Sequence, residues 1–198
     1  LIIFGNGKAI RDFIHIDDVI DAIILSMVSK SGIYNIASGT YYATVGGGSS
    51  NEATADSSTA SGGSSNIASG GYSTVGGGQS NTSALEYATT SGGYNNTASA
   101  NSSTISGGVG NTASGGGSTI SGGINSTASG NESTIGGGNY NQASGFKSTI
   151  GGGNSNIANQ LRATVGGGEQ NSASGYDAST VSGGLNNTAS GSNSTIGG

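Results

Sequence analysis

The chain has 198 residues, of which 41 are glycine, 31% are hydrophobic and 8% are charged, and it contains no proline, cysteine or tryptophan. Without cysteine it holds neither a disulfide framework nor a thiolate metal site, and its formal net charge of −5 argues against a nucleic-acid partner. Its longest apolar stretch, residues 19–28, is too short to span a membrane and includes Asp21.

Residues 1–39 predict a short helix followed by a strand, as found in α/β domains. Asp17 or Asp18 is placed to N-cap the helix, and Gly32 would end it before a strand at residues 33–36. The chain does not start with methionine, so we expect it to be a fragment of a longer protein.

Two strings in this segment, GNGKAIRDFIHIDDVIDAI and IYNIASG, resemble the carboxyl-terminal part of NAD-dependent sugar-nucleotide epimerases and dehydratases, which are extended short-chain dehydrogenases. The resemblance implies that Arg11 contacts the diphosphate of a sugar nucleotide, a task that suits a planar guanidinium. It implies NAD only if that family's amino-terminal Rossmann half exists upstream, because the glycine fingerprint and the catalytic tyrosine and lysine are not in this sequence. We therefore predict no catalytic residue and no cofactor for the chain.

From residue 40 onward the chain is a tandem repeat. Eleven threonines recur from Thr44 to Thr195 at a spacing of 15, except for one spacing of 16 between Thr164 and Thr180. Valine or isoleucine directly follows the threonine in nine of eleven copies, and asparagine stands seven residues after it in nine of ten. A flexible linker has no reason to hold this register, so a folded repeat is predicted. The one additional residue is expected in a turn, where it leaves the strands intact.

Each repeat is predicted to be one coil of a parallel β-solenoid, or β-roll, with two short strands and two turns, which makes residues 40–198 an all-β array. Each glycine of the doubled pair would cost about 1 kcal/mol in a helix, whereas β-branched threonine, valine and isoleucine favour strands. Stacking places identical side chains in columns, with isoleucine, valine and alanine inside. The predicted ladder residues are Thr104, Ile105, Thr119, Ile120, Thr134, Ile135, Asn141, Thr149, Ile150 and Asn156.

The string NQASGFKSTIGGGNSN at residues 141–156 resembles the head repeats of trimeric autotransporter adhesins and related bacterial and viral fibre proteins, and the resemblance extends over residues 40–198. It implies a left-handed β-roll, a homotrimer, and display on a cell surface or virion fibre, with a host-surface or matrix component as a candidate ligand. The core also favours a homotrimer. One aliphatic residue and one alanine per coil supply about 3 kcal/mol of burial, against an ordering cost of about 1–2 kcal/mol per residue.

The favoured function is a non-catalytic structural or adhesive module. The alternative is a cytoplasmic epimerase or dehydratase fragment with a fused or mis-joined repeat tail, since the string NIASG occurs at residues 35–39 and 66–70 and fits both segments. A third possibility, an ice or sugar binder, would need a flat face of regularly spaced threonines. No metal site is predicted, because the only aspartates of the array, Asp56 and Asp177, do not occupy a repeating position.

Large aromatic residues of the array occupy variable positions in or near the predicted turns. They would either form a binding surface or fill gaps between neighbouring chains of a trimer, and the second role is favoured. These residues are Tyr72, Tyr87, Tyr140, Phe146 and Tyr176.

Overall fold

A computed structural model describes residues 35–37 and 42–198. Every regular element within these residues is a β-strand, and none is a helix. The predicted all-β solenoid with coils of about 15 residues is therefore confirmed. The helix predicted to begin at Asp17 or Asp18, and Arg11, lie outside the described residues.

The strands form two parallel sheets of eleven strands each. Sheet A comprises β1 (Asn35–Ala37), β3 (Asn51–Ala53), β5 (Ile67–Ala68), β7 (Thr82–Ser83), β9 (Thr97–Ala98), β11 (Thr112–Ala113), β13 (Thr127–Ala128), β15 (Gln142–Ala143), β17 (Ile157–Ala158), β19 (Ser172–Ala173) and β21 (Thr188–Ala189). Sheet B comprises β2 (Thr44–Val45), β4 (Thr59–Ala60), β6 (Thr74–Val75), β8 (Thr89–Thr90), β10 (Thr104–Ile105), β12 (Thr119–Ile120), β14 (Thr134–Ile135), β16 (Thr149–Ile150), β18 (Thr164–Val165), β20 (Thr180–Val181) and β22 (Thr195–Ile196). Consecutive strands alternate between the sheets, so the chain completes one circuit per repeat.

The first copy of NIASG contributes a strand to the solenoid. Strand β1 pairs with β3, which aligns Asn35 with Asn51 and Ala37 with Ala53. The string that resembles the end of an epimerase strand therefore also occupies the position of a repeat strand in sheet A.

The interior is a narrow stack in which alanine from sheet A faces isoleucine or valine from sheet B. Ile120 pairs with Ile135 and Ile135 with Ile150, and all three side chains are fully buried. Alanines such as Ala128, which pairs with Ala143, are equally buried. Identical side chains thus lie one above another, which removes apolar surface from water in every coil.

A polar layer divides this interior into two hydrophobic clusters, one ending at Val75 and the other beginning at Ala88. Between them Ser83 replaces the usual alanine and Thr90 replaces the usual aliphatic residue, and both are fully buried. Their hydroxyl oxygens lie 3.1 Å apart. Ser83 Oγ is also 2.9 Å from the carbonyl oxygen of Thr74, so each buried hydroxyl has a partner.

The two turns of a coil differ in sequence. The serine turn leads from sheet A to sheet B, as in residues 144–148, and the glycine turn leads back, as in residues 151–155. Gly153 in the glycine turn has φ +90°, and a Cβ at this position would collide with the carbonyl oxygen of Gly168 in the next coil. Only glycine fits there. Gly152, the other member of the doubled pair, has open space where a Cβ would stand.

Each turn also holds a residue with left-handed backbone that is usually not glycine. Lys147 in the serine turn has φ 56° and Ser155 in the glycine turn has φ 55°. Their backbone N–H groups donate back to the preceding coil, to the carbonyls of Asn131 and Asn139, whereas the N–H of Thr149 donates forward to the next coil. The left-handed conformation reverses the direction of one N–H per turn, and these bonds compensate for its cost.

The single longer coil keeps both sheets in register. Its additional residue lies in the serine turn between Ala173 and Thr180, as expected. Thr164 still pairs with Thr180, and Ala173 still pairs with Ala189. The turn therefore absorbs the insertion without shifting a column.

Candidate functional site

A file of buried asparagines joins each glycine turn to the next coil. In Asn96, Nδ2 donates to the carbonyl oxygens of Gly92 at 3.0 Å and Gly108 at 2.9 Å, and Oδ1 accepts from the backbone N–H of Asn111 at 3.0 Å. The side chain is fully buried, so these bonds replace water completely. The same three contacts recur at Asn66, Asn81, Asn156 and Asn171.

Asn141 and Asn156, two predicted ladder residues, both lie in this file. The N–H of Asn156 donates to Oδ1 of Asn141 at 2.9 Å. In the coil that precedes Asn141, serine replaces the asparagine of the file. The hydroxyl oxygen of this residue, Ser126, accepts the N–H of Asn141 at 3.2 Å. Serine therefore keeps the bond to the next coil but supplies no Nδ2 donors to the glycine turns. The chemistry of this file is structural, because its polar atoms bind the protein's own backbone.

The predicted threonine ladder lies on the outer face of sheet B. Thr104 pairs with Thr119, which pairs with Thr134, which pairs with Thr149. Each of these threonines is partly or largely exposed, while Ile105, Ile120 and the other residues that follow them point inward. Toward the glycine turn the threonine column is flanked by serine or glycine, and no strand residue of sheet B within residues 42–198 is charged. The third possible function, an ice or sugar binder, requires a flat face of regularly spaced threonines, and it stays a prediction.

Charge is concentrated on the serine turn. Arg162 forms a two-contact ion pair with Asp177, Nε to Oδ1 at 3.1 Å and Nη2 to Oδ2 at 2.8 Å. Nζ of Lys147 lies 3.5 Å from Oε2 of Glu132 and 5.0 Å from the ring centre of Phe146. Apart from the Asp177 side chain these charged groups are largely exposed, so the pairs contribute little to stability.

Exposed aromatic and aliphatic side chains lie on both turns. Tyr72 and Tyr87 of adjacent serine turns stack, with ring centres 5.2 Å apart and an angle of 16° between the ring planes. Phe146 and Tyr176 also lie on serine turns, and Tyr140 lies on a glycine turn. The sequence interpretation did not single out Tyr94, Val109 and Ile124, which follow successive threonines by five residues and form an exposed column on the glycine turn; they are 49%, 41% and 42% exposed. Their constant spacing of five residues from the threonine could have identified this column in the sequence.

Within residues 35–37 and 42–198 no three metal-binding side chains are grouped closely enough to hold an ion. The same residues include no helix with the length and apolar character needed to cross a membrane. The contact between Arg11 and a sugar-nucleotide diphosphate stays a prediction, as do the lack of a catalytic residue and of a cofactor.

The fold and its surfaces define a parallel β-solenoid repeat protein. The ubiquitous surface protein adhesin repeat matches residues 179–191, which contain strand β20, a glycine turn, Asn187 of the asparagine file and strand β21. The NAD dependent epimerase/dehydratase family matches residues 1–37. The two resemblances found in the sequence, to NAD-dependent epimerases and dehydratases and to adhesin repeats, are therefore confirmed. Each match covers less than a fifth of the chain. None of the curated proteins compared with the chain matches it.

Proposed function

We propose that the repeat array is a non-catalytic structural and adhesive module, which forms a rigid head or spacer on a cell surface or fibre and assembles as a homotrimer. The observation that carries this proposal is that buried polar side chains hold adjacent coils together by hydrogen bonds. In the described residues the asparagine file binds backbone groups of adjacent coils rather than facing a pocket, as Asn96 does with Gly108 and Asn111.

Rigidity and length suit a spacer. Sheet B runs from Thr44 to Ile196 in eleven paired strands, and at about 4.8 Å per coil this is a rod roughly 50 Å long. Two backbone ladders run its whole length and the asparagine file accompanies them except at Ser126, so bending would have to break several hydrogen bonds at once. A rod of this kind holds whatever is attached to its end at a fixed distance.

The adhesive role and the surface location are supported by the match of residues 179–191 to the ubiquitous surface protein adhesin repeat. The homotrimer is supported by the thin core, which offers one aliphatic residue and one alanine per coil. Large apolar side chains meanwhile stay on the outside, including Leu185, which is 66% exposed. Burial of these side chains between chains would add the apolar contact that a single coil lacks.

The test is the mass and binding of the purified full chain. Sedimentation equilibrium is expected to give three times the chain mass of 18.8 kDa, and the trimer is expected to be retained on immobilised extracellular-matrix proteins. A monomer across the micromolar range would overturn the homotrimer. A trimer that no matrix component retains would overturn the adhesive role and leave the spacer.

A second function is supported by the match of residues 1–37 to the NAD dependent epimerase/dehydratase family. On this interpretation the parent protein is a sugar-nucleotide enzyme, and Arg11 binds the substrate diphosphate. Sequencing of the locus in single long reads tests it. A reading frame that continues upstream into a glycine-rich strand–turn–helix and a Tyr-x-x-x-Lys motif is expected if it holds, and a signal peptide or further repeats would overturn it.

A further inference from the structure

We infer that the polar layer formed by Ser83 and Thr90 is a boundary built into the solenoid, at which strands β1 to β6 open as one unit while the strands from β8 onward stay folded. The inference rests on the two interiors that the layer separates, and it requires neither the homotrimer nor the adhesive role.

The interior on the amino-terminal side of the layer is thin. Its hydrophobic cluster consists of Ala53, Ala60, Ala68 and Val75, with Ala43 and Val45 packed against it. The cluster beyond the layer contains, besides valines and alanines, Ile105, Ile120, Ile135 and Ile150. Alanine buries fewer methyl and methylene groups than isoleucine does, so the coils before the layer gain less free energy from stacking.

The layer interrupts both apolar columns of the interior. In sheet B, Thr90 pairs with Val75 on one side and with Ile105 on the other, and Ser83 interrupts the alanine column of sheet A. Oγ of Ser83 lies 2.9 Å from the carbonyl oxygen of Thr74 and 3.1 Å from Oγ1 of Thr90, both in the opposite sheet. These hydrogen bonds cross the interior, whereas along each column a hydroxyl-bearing side chain replaces an aliphatic contact.

This arrangement determines where partial opening would stop. Each coil of a solenoid contacts only its neighbours, so the coils can open in sequence from an end. When β1 to β6 have opened, the end of the remaining rod presents Ser83 and Thr90, whose hydroxyls water can hydrate. Opening one coil further would instead expose Ile105, which water does not solvate well. The layer therefore gives the shortened rod a polar end, as a capping repeat does.

The hydrogen-bonded framework continues across the layer in the folded state. The N–H of Thr74 donates to the carbonyl oxygen of Ala88 at 2.9 Å, and the N–H of Asn96 donates to Oδ1 of Asn81 at 3.0 Å. The boundary is thus a property of the interior alone, and the closed rod is continuous. Opening would convert residues 44–75 from about 10 Å of rod into a tether that reaches at most roughly 110 Å.

Hydrogen exchange of the full chain, read by mass spectrometry at increasing urea concentrations, tests the boundary. The amides of Thr59 and Thr74 report on one side, and those of Thr119 and Thr134 on the other. All four follow a serine and donate to a carbonyl of the next coil, so their environments are matched. Thr59 and Thr74 are expected to exchange at one common rate, about a hundredfold faster than the other two. One rate for all four, or a gradual change from coil to coil, would overturn the inference.

Fraying of a chain end is controlled for by Thr180. This residue lies in the second strand of sheet B from the carboxyl end, as Thr59 does from the amino end. Thr180 is expected to exchange more slowly than Thr59, because no polar layer separates it from the large cluster. Equal rates would assign the opening to the ends of the chain and would also overturn the inference.

Removal of the layer tests its role directly. Ser83→Ala with Thr90→Val restores both columns, and it is expected to slow the exchange of Thr59 and Thr74 about tenfold while that of Thr134 stays the same. Unchanged exchange of Thr59 and Thr74 would show that the layer is not the boundary. Sedimentation and matrix binding test the proposed function separately, so either result leaves that proposal standing.

Transfer of the layer is the complementary experiment. Ala128→Ser with Ile135→Thr places the same two residues at the equivalent positions three coils further along the solenoid. Exchange of Thr119 is expected to become faster, while that of Thr164, beyond the new layer, is expected to stay slow. A folded variant in which Thr119 keeps its rate would contradict the inference. If this variant does not fold, removal of the native layer decides the question alone.

Discussion

Oδ1 of Asn96 accepts a hydrogen bond from the backbone N–H of Asn111 at 3.0 Å, so a side chain connects two residues that are fifteen apart in sequence and one coil apart in space. This bond runs parallel to the backbone ladders of the two sheets. It also fixes the register, because a shift of one residue would bring a different side chain to the buried position of Asn96.

Removal of one asparagine is expected to weaken the solenoid strongly. Asn96→Ala deletes three hydrogen bonds and leaves the buried N–H of Asn111 without that acceptor. We expect a loss of about 2–4 kcal/mol in the free energy of unfolding, measured by urea denaturation at fixed protein concentration. Asn101→Ala, at an exposed turn position, is the control and should change it by less than about 0.5 kcal/mol. Equal midpoints for the two variants would contradict a stabilising role for the file.

The interruption of the file at Ser126 predicts a stabilising substitution. Ser126→Asn would restore Nδ2 donors toward the carbonyls of Gly122 and Gly138, by analogy with Asn141 and its bonds to Gly137 and Gly153. We expect a gain of about 1–2 kcal/mol, seen as a higher thermal midpoint in circular dichroism. Asn96→Ser, the reverse change in an intact part of the file, should lower the midpoint. A lower midpoint for Ser126→Asn would show that the coil cannot accept the amide.

The polar layer formed by Ser83 and Thr90 is expected to behave as a coupled pair. Each hydroxyl lies within hydrogen-bond distance of the other, so Ser83→Ala or Thr90→Val alone leaves a buried hydroxyl with one partner fewer. The double variant places alanine and valine where other coils have them and would join the two hydrophobic clusters. A double-mutant cycle on urea unfolding is expected to give a coupling energy of about 1 kcal/mol. Strictly additive effects would mean that the two hydroxyls do not interact.

The two members of a glycine pair are expected to tolerate alanine very differently. Gly153→Ala forces a side chain into the carbonyl oxygen of Gly168 at φ +90°, and should prevent accumulation of soluble protein or cost more than about 3 kcal/mol. Gly152→Ala enters open space and should cost less than about 1 kcal/mol. Soluble yield and the urea midpoint of each variant measure the difference. Similar values would show that the turn relaxes to admit a Cβ.

The strand positions could be predicted from the sequence because a fixed repeat places identical residues on top of one another. The stacking of Ile120, Ile135 and Ile150 follows directly from the spacing of 15, as do the two strands per coil. The constant seventh position after the threonine likewise indicated the asparagine column, although not that its Oδ1 atoms would bind backbone N–H groups of the next coil.

Features that depend on the contact between coils could not be predicted in the same way. The left-handed backbone of Lys147 is set by its bond to Asn131 in the preceding coil, and lysine has no local preference for it. The pairing of Ser83 with Thr90 joins two exceptions to the repeat that belong to different columns. The stack of Tyr72 on Tyr87 depends on side-chain rotation, which a spacing does not specify.

The longer serine turn at residues 174–179 shows where the molecule can change in evolution or by engineering. A single residue gained there leaves the neighbouring strands aligned, and Tyr176 beside it is 81% exposed. Gain or loss of material inside a strand would instead displace every column above it. Peptides grafted at Tyr176 would therefore be carried on the flank of the rod, while its length would change only by whole coils.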